Sequence, residues 1–404
     1  MPSPTCLRYH SSMLAIGLMS GTSCDGMSAA LVRLKGSRPA VRLVSWITVP
    51  YPPKVRGFLL GLAAGGESRR SANSKSAVRR TSLAAAGERT AAAQVARAGS
   101  LVAEYSSRAV SRLCLRARVR PGRVAFIASH GHTLYHAPGE GITFQSGDIS
   151  RIAETAGITV VGDFRTRDVA AGGQGAPLAP WPHWVLFAHR REHRLILNLG
   201  GIANVTWLPA GSGPGSVRAF DTGPGNMILD ALAERHYRGR LACDVGGRLA
   251  ARGRVDPRVL GRLLRHPFLA QRPPKSTGRE EFGSGILPAF RGLSAEDSLA
   301  TATELTALTV AGQIARWLPA GSRAAAVYAG GGGCRNPVLM GRLREALAPR
   351  RLLWLHALGL PESAVEPVCF AILGHARLCG RPNVLRRVTG AVRAVSSGVI
   401  VPAR

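Results

Sequence analysis

MLAIGLMSGTSCDGMSAALVRL, residues 13–34, reads as a strand, a glycine-rich turn and a second strand. Leu14, Ile16 and Leu18 alternate with smaller residues, the alternation stops at Ser20-Gly21-Thr22-Ser23, and an extended apolar pattern resumes from Ala29 to Leu34. A turn carrying Gly21 and Gly26, with hydroxyls at Ser20, Thr22 and Ser23, can aim several backbone N–H groups at one point, which suits phosphate oxygens. Asp25 then stands where a carboxylate would hold a hydrated Mg²⁺ against those phosphates. The same residues also describe an ordinary glycine-rich hairpin turn.

No Gly-Lys-Ser/Thr follows the glycines and no helix signal opens directly after them, so the stretch is neither a P-loop nor a G-x-G-x-x-G turn. A phosphate-binding hairpin resembles the device of actin-like and hexokinase-like ATPases, in which two related domains each offer a hairpin to a nucleotide across a cleft. A second hairpin fits that duplication: Leu195 to Leu199, the turn Gly200-Gly201-Ile202-Ala203-Asn204, then Val205 to Leu208. At 404 residues the chain exceeds one ordinary core and divides into two domains on length alone. The expected architecture is α/β, a two-domain actin-like (ribonuclease H-like) ATPase fold with an interdomain active-site cleft. Residues 12–175 with about 375–404 form the first domain in this reading, and 176–374 the second.

An apolar share of 46% with 19% charged residues belongs to a globular protein, not a disordered one. No apolar run is long enough to span a bilayer and none is flanked like a signal peptide, which gives a cytoplasmic expectation and no membrane partner. The net charge of +30 invites a nucleic-acid reading. Only four lysines (Lys35, Lys54, Lys75 and Lys275) stand among 53 basic residues, however, and the arginines are spread along the chain, so this is a compositional bias and no specific nucleic acid is expected. The seven cysteines are scattered and never in C-x-x-C spacing, which argues for free thiols. A homodimer is one assembly open to such a chain.

Further along, Val41 to Trp46 suggests a third strand, and the Ala-, Gly-, Ser- and Arg-rich stretch 63–100 a loop followed by exposed helices. Val124 to Ser129 reads as a buried strand that delivers His130, Gly131 and His132 to its C-terminal end, where open α/β sheets bind ligands. Substrate contact or strand capping suits these histidines better than metal, since no third ligand stands nearby. Ile142 onward gives a short strand, Asp148 as an N-cap and a helix to Ala156. After the strand ITVVGDF comes Asp163-Phe164-Arg165-Thr166-Arg167-Asp168, then a run holding Gly172, Gly173, Gln174 and Gly175. Arginines there suit a substrate carboxylate and glycines a close backbone approach, or else the cluster is an ion-pair network at a domain boundary. Asp221 in FDTGPGN closes a strand and faces a glycine turn at a helix start near Met227; a general base or a turn-capping Asp would both sit so.

In order, GLMSGTSCDGMSAALV, SHGHT, DFRTRDVAAGGQGAPLAP, NLGGIANVT, FDTGPGNMILD, PKSTGREEF and YAGGGGCRNPVLM resemble the anhydro-N-acetylmuramic acid kinase family of bacterial cell-wall recycling, from about Leu14 to the end. The resemblance implies a kinase that uses ATP and Mg²⁺ to open the 1,6-anhydro ring of anhydro-N-acetylmuramate while phosphorylating O6. It places the ATP-binding loop on Gly21, Thr22, Ser23, Cys24, Asp25, Gly26, Met27 and Ser28, with Asp25 toward the metal, and the catalytic aspartate on Asp221. Gly200 and Gly201 of the second hairpin, and Gly330, Gly331 and Gly332 with Asn336, belong to the nucleotide on the same grounds. His130, Arg167, Gly173, Gln174 and Glu366 belong to the sugar, and Lys275 lies in a family loop. Ser28 stands where the family usually has Asp, His132 where it has Gln, and Pro367 where a small helix-compatible residue is usual; Pro367 is expected to kink the helix carrying Glu366. The alternatives are an actin-like kinase for another sugar and a non-catalytic nucleotide-dependent binding protein of the same fold.

Overall fold

In a computed structural model of the protein, the described residues are 12–21, 24–65 and 90–403. Thr22 and Ser23 of the first turn lie outside them, as does most of the Ala-rich stretch, 66–89.

Among the described residues thirteen strands follow in chain order: β1 (Met13–Met19), β2 (Gly26–Lys35), β3 (Ala40–Pro50), β4 (Val124–Ser129), β5 (His132–Ala137), β6 (Ile142–Ser146), β7 (Val160–Gly162), β8 (Arg194–Leu199), β9 (Ile202–Leu208), β10 (Arg218–Pro224), β11 (Ala326–Gly330), β12 (Leu352–Trp354) and β13 (Val399–Val401). They divide between two compact units, one of Met1–Gly175, Ser363–Val384 and Ala391–Arg404, the other of Ala176–Glu362 and Leu385–Gly390.

In the first unit the sheet order is β13-β7-β4-β1-β2-β3. The strand β2 pairs antiparallel with both β1 and β3, β4 and β7 run parallel to β1, and β13 closes the edge antiparallel to β7. In the second unit the order is β10-β9-β8-β11-β12, again three antiparallel strands followed by two parallel ones. The same order in both units is the ribonuclease H-like arrangement of the actin-like ATPase fold, and the residues that build it are those that alternate in sequence. Ile16, Leu18, Met27, Ala29 and Leu31 are fully buried in the first core; Leu195, Leu197, Leu199, Val205 and Val327 form the second.

Several boundaries differ from the sequence expectation. The third strand runs to Pro50 because Gly26 lets β2 approach β3 so closely that a Cβ there would meet the carbonyl of Val49. The stretch beyond residue 90 is one long helix, Ala91–Ala117, and it is not exposed throughout: Ala98, Val102, Tyr105, Ala109 and Leu113 are buried, at the spacing of one apolar stripe. Asp221 does not close its strand. It lies in the middle of β10, with the pairing to β9 shifting between Asp221 and Gly223.

The return to the first unit comes at Ser363, where the sequence reading set it near residue 375. The reason is the helix Glu362–Leu378, which runs through Pro367 as one element. A Cβ on Gly17 of β1 would run into the Pro367 carbonyl oxygen, and one on Gly374 would meet Phe126 and Ala128 of β4, so helix and sheet touch at bare backbone. Glu366 therefore belongs to the first unit.

Candidate active site

In the first unit, the turn after β1 is held from beneath by His132. Ser20 Oγ lies 3.2 Å from His132 Nδ1, Cys24 Sγ lies 3.2 Å from Nε2, and the Tyr51 hydroxyl donates to Ser20 Oγ at 3.1 Å. Burial lowers the His132 pKa, opposed by the contact with the Ser20 backbone, so the ring is a neutral strut. Cys24 adopts a left-handed conformation (φ 52°) and its N–H donates to Gly21 O at 3.1 Å, which curls the turn. Cys24 and Met27 bury their side chains completely, so only their backbone can meet a ligand. Ser28 spends its hydroxyl on Thr48 across the strand pair, at 3.0 Å. The Asp25 carboxylate is exposed, 3.6 Å from Arg56.

At the ends of β4 and β7 a second cluster forms around Arg165. Its Nε donates to His130 Nε2 at 3.1 Å and its Nη1 to the Gly175 carbonyl at 2.8 Å. His130 Nδ1 lies 3.1 Å from Gly131 O, so the ring has Nδ1–H donating and Nε2 accepting. Burial, then the Arg165 charge, push the His130 pKa well below its ordinary value. Burial and Arg165 also take His136 down to about 4, opposed by the Gln174 backbone. Buried Asp168 accepts from Gly175 N–H at 2.8 Å, and a Cβ on Gly173 would collide with that carboxylate. The glycine run is thus folded around an acid and a base of its own segment. Burial raises the Glu366 pKa, with Arg165 pulling the other way, although the side chain keeps open space around it.

Arg167, the arginine singled out in the sequence, lies instead at the surface, with Nη1 on Ser396 O at 3.1 Å. The chain turns at Asp163 (φ 54°) ahead of both arginines, and the Asp163 carboxylate accepts from Thr166 at the start of the Thr166–Ala170 helix, which leaves Arg165 just before the helix and Arg167 within it.

The second unit gathers the remaining candidates. The N–H groups of Gly225, Asn226 and Met227 donate to the carbonyls of Gly201, Gly200 and Gly201 at 2.8–3.1 Å, fastening the hairpin turn to the start of the Asn226–His236 helix. A Cβ on Gly225 would hit the Gly200 carbonyl. Gly331 (φ 95°) comes equally close to Asn198 and Leu199, while Gly330 ends β11 buried against Leu355. Asn336 caps the Pro337–Leu347 helix through Val338 and Leu339 N–H. Asp221, 9% exposed, is bracketed by one loop: its N–H donates to Lys275 O at 3.2 Å, and Thr277 N–H donates to its Oδ2 at 2.9 Å. The Lys275 ammonium is buried, donating to Phe268 O at 3.0 Å and Gln313 Oε1 at 2.6 Å, over the Phe268 ring at 4.2 Å. Burial, then Arg316, lower its pKa to about 8 against the pull of Asp221.

Arg165 and Asp168 stood in the quoted DFRTRD cluster and Thr277 in the quoted PKSTGREEF stretch, but the sequence assigned none of the three a role of its own. Among the described residues no group of three or more His, Cys, Asp or Glu is placed to hold a metal, and no helix is long and apolar enough to cross a membrane.

The chain matches the family model of anhydro-N-acetylmuramic acid kinase over residues 13–403. It is 40% identical to the anhydro-N-acetylmuramic acid kinase of Gloeobacter violaceus over 405 residues, covering 96% of this chain and 99% of that one. With the enzyme of that name from Acidithiobacillus ferrooxidans the identity is 42% over 402 residues, 96% of this chain and 92% of the other. Among solved structures, component A of the Acidaminococcus fermentans (R)-2-hydroxyglutaryl-CoA dehydratase aligns at a TM-score of 0.41 and 14% identity over 90% of this chain and 100% of that one, a likeness too low to carry any argument. On the strength of the family match and these relatives, the chain belongs to the anhydro-N-acetylmuramic acid kinase family.

Proposed function

We infer that this protein is an ATP-dependent kinase that opens 1,6-anhydro-N-acetylmuramic acid with water and phosphorylates its O6, giving N-acetylmuramate 6-phosphate for cell-wall recycling in the cytoplasm. Asp221 carries the reading. Its carboxylate is nearly buried, fixed in orientation by Thr277 N–H, and set on the strand that precedes the glycine turn at Gly223–Gly225.

In the proposed reaction Asp221 takes a proton from water, whose oxygen bonds to the anomeric carbon. The C1–O6 bond breaks, and O6 takes the γ-phosphoryl group as ADP leaves. The glycine turns at Gly200–Gly201 and Gly331–Gly332, and Gly21 and Gly26 of the first hairpin, let backbone approach the nucleotide without side chains in the way, while Gly225 fastens the Gly200–Gly201 turn in place. A Mg²⁺ ion neutralises phosphate charge when bound, and the exposed Asp25 carboxylate fits one that keeps waters and phosphates as its other ligands. Glu366, His130 and the Gly173–Gln174 backbone hold the sugar, and the exposed Arg167 takes the lactyl carboxylate.

The test is turnover of anhydro-N-acetylmuramate with ATP in ¹⁸O-water, followed by mass spectrometry, for wild type and Asp221→Asn. A product carrying phosphate on O6 and ¹⁸O at C1, lost in the variant, supports the reading. Nucleotide binding without sugar phosphorylation sinks it.

A further inference from the structure

Lys275 is 6% exposed, and its ammonium makes its hydrogen bonds to uncharged partners alone. It donates to Phe268 O at 3.0 Å and to Gln313 Oε1 at 2.6 Å, and lies over the Phe268 ring at 4.2 Å. Among the described residues no carboxylate forms an ion pair with it. A buried ammonium without one is costly, and a group kept at that cost is a candidate for function. Burial and then Arg316 disfavour its charge, and Asp221 favours it.

The backbone beside that ammonium sets the place of Asp221. Lys275 O accepts from Asp221 N–H at 3.2 Å, and two residues on, Thr277 N–H donates to Asp221 Oδ2 at 2.9 Å. The ammonium ties this loop to two helices that pack on β10: Pro267–Ala270 through Phe268 O, and Ala295–Trp317 through Gln313. Gln313 is braced in turn, with Nε2 donating to Leu269 O at 3.0 Å and Oε1 accepting from Trp317 Nε1–H at 2.9 Å. Its hydrogen bonds go to Lys275, Leu269 and Trp317, and none to Asp221. Two carbonyl oxygens and a ring face suit a compact ammonium, where the planar fork of a guanidinium would need more room and more acceptors.

We propose that Lys275 is a positioning residue for the reaction: its ammonium locks residues 275–277 onto the helices behind β10, and that loop fixes the direction of the Asp221 carboxylate. Its part is orientation, and no proton passes through it. The inference rests on the reaction proposed above.

Steady-state kinetics of Lys275→Met, Gln313→Leu, Gln313→Glu and the Lys275→Met/Gln313→Leu double variant test this, at a temperature where unfolding curves show each protein folded. Lys275→Met is expected to lower kcat about 10- to 100-fold, as for a base displaced by about 1 Å, with the KM for ATP within about twofold of wild type. Gln313→Leu lowers kcat about 5- to 20-fold without touching Asp221. The double variant falls no further than the worse single one, because both changes break the same tether. Gln313→Glu keeps an acceptor for the ammonium and retains kcat within about threefold. A merely structural role would lower melting temperatures and leave the kcat of the folded variants alone. Full kcat in folded Lys275→Met overturns the proposal, as do losses that multiply in the double variant or a KM for ATP that rises in step with the loss of kcat. If Lys275→Met does not fold, full kcat in Gln313→Leu overturns it alone. If wild type itself turns over no anhydro sugar, the reaction assignment has failed and the role of Lys275 falls with it.

Discussion

Replacing Arg165 and Arg167 separately by methionine tests whether the cluster behind β7 is built as described. In Arg165→Met two hydrogen bonds from a charged donor disappear, to His130 at 3.1 Å and to Gly175 O at 2.8 Å. Each such bond contributes about 1.5–3 kcal/mol, and the buried carbonyl left behind adds its own penalty. The methionine regains about 1–2 kcal/mol of apolar burial. The net loss is about 3–5 kcal/mol, as for other cases in which one partner of a buried charge cluster is removed. For a unit of this size that is a fall of roughly 6–20 °C in melting temperature. Arg167→Met loses one bond at the surface, to Ser396 O, and costs less than about 1 kcal/mol. Its effect belongs on the KM for the sugar, as a guanidinium proposed for the lactyl carboxylate. Urea unfolding with steady-state kinetics on both variants decides the matter. If Arg165→Met unfolds within 1 kcal/mol of wild type, the cluster does not hold the glycine run and the reasoning is refuted.

Two further outcomes follow from the second unit. Lys275 has its pKa depressed in the folded protein to about 8, from 10.5 in an unfolded chain. Between those values the unfolded state binds more protons, so the stability of wild type relative to Lys275→Met rises as pH climbs from 8 to 10.5 and is lost as pH falls back through 8. Chemical unfolding of both proteins at pH 7 and pH 10 measures this, and an unchanged difference contradicts it. Gly225→Ala forces a methyl into the Gly200 carbonyl. Overpacking of that kind costs about 1–3 kcal/mol, and because the displaced atoms belong to two nucleotide turns, ATP affinity should fall about tenfold or more by calorimetry.

Local features of the fold were legible because they are periodic or capped. β4 and the helix Ile149–Ala156 behind its Asp148 cap were readable from a short apolar run and one acidic residue. The duplicated hairpins were equally plain. The two arginines of DFRTRD were not separable, because which one turns inward depends on the left-handed Asp163 and on a five-residue helix that no apolar pattern announces. Thr277 was invisible for a different reason: its position beside Asp221 comes from a pairing between residues 56 apart in sequence. What Pro367 does for the sheet was not readable either, because its carbonyl meets the bare backbone of Gly17, more than 300 residues earlier in the chain.

That meeting of Gly17 with Pro367 also sets an order of events at the ribosome. The hairpin strands of the first unit are made before the second unit, yet the first unit lacks a face until residues near 367–374 arrive to cover Gly17, Phe126 and Ala128. The second unit is contiguous apart from Leu385–Gly390, so its five-stranded sheet is complete in sequence once β12 has emerged. The half synthesised first is thus the half finished last, and during the interval its β1 and β4 present apolar surface that nascent-chain chaperones are suited to shield.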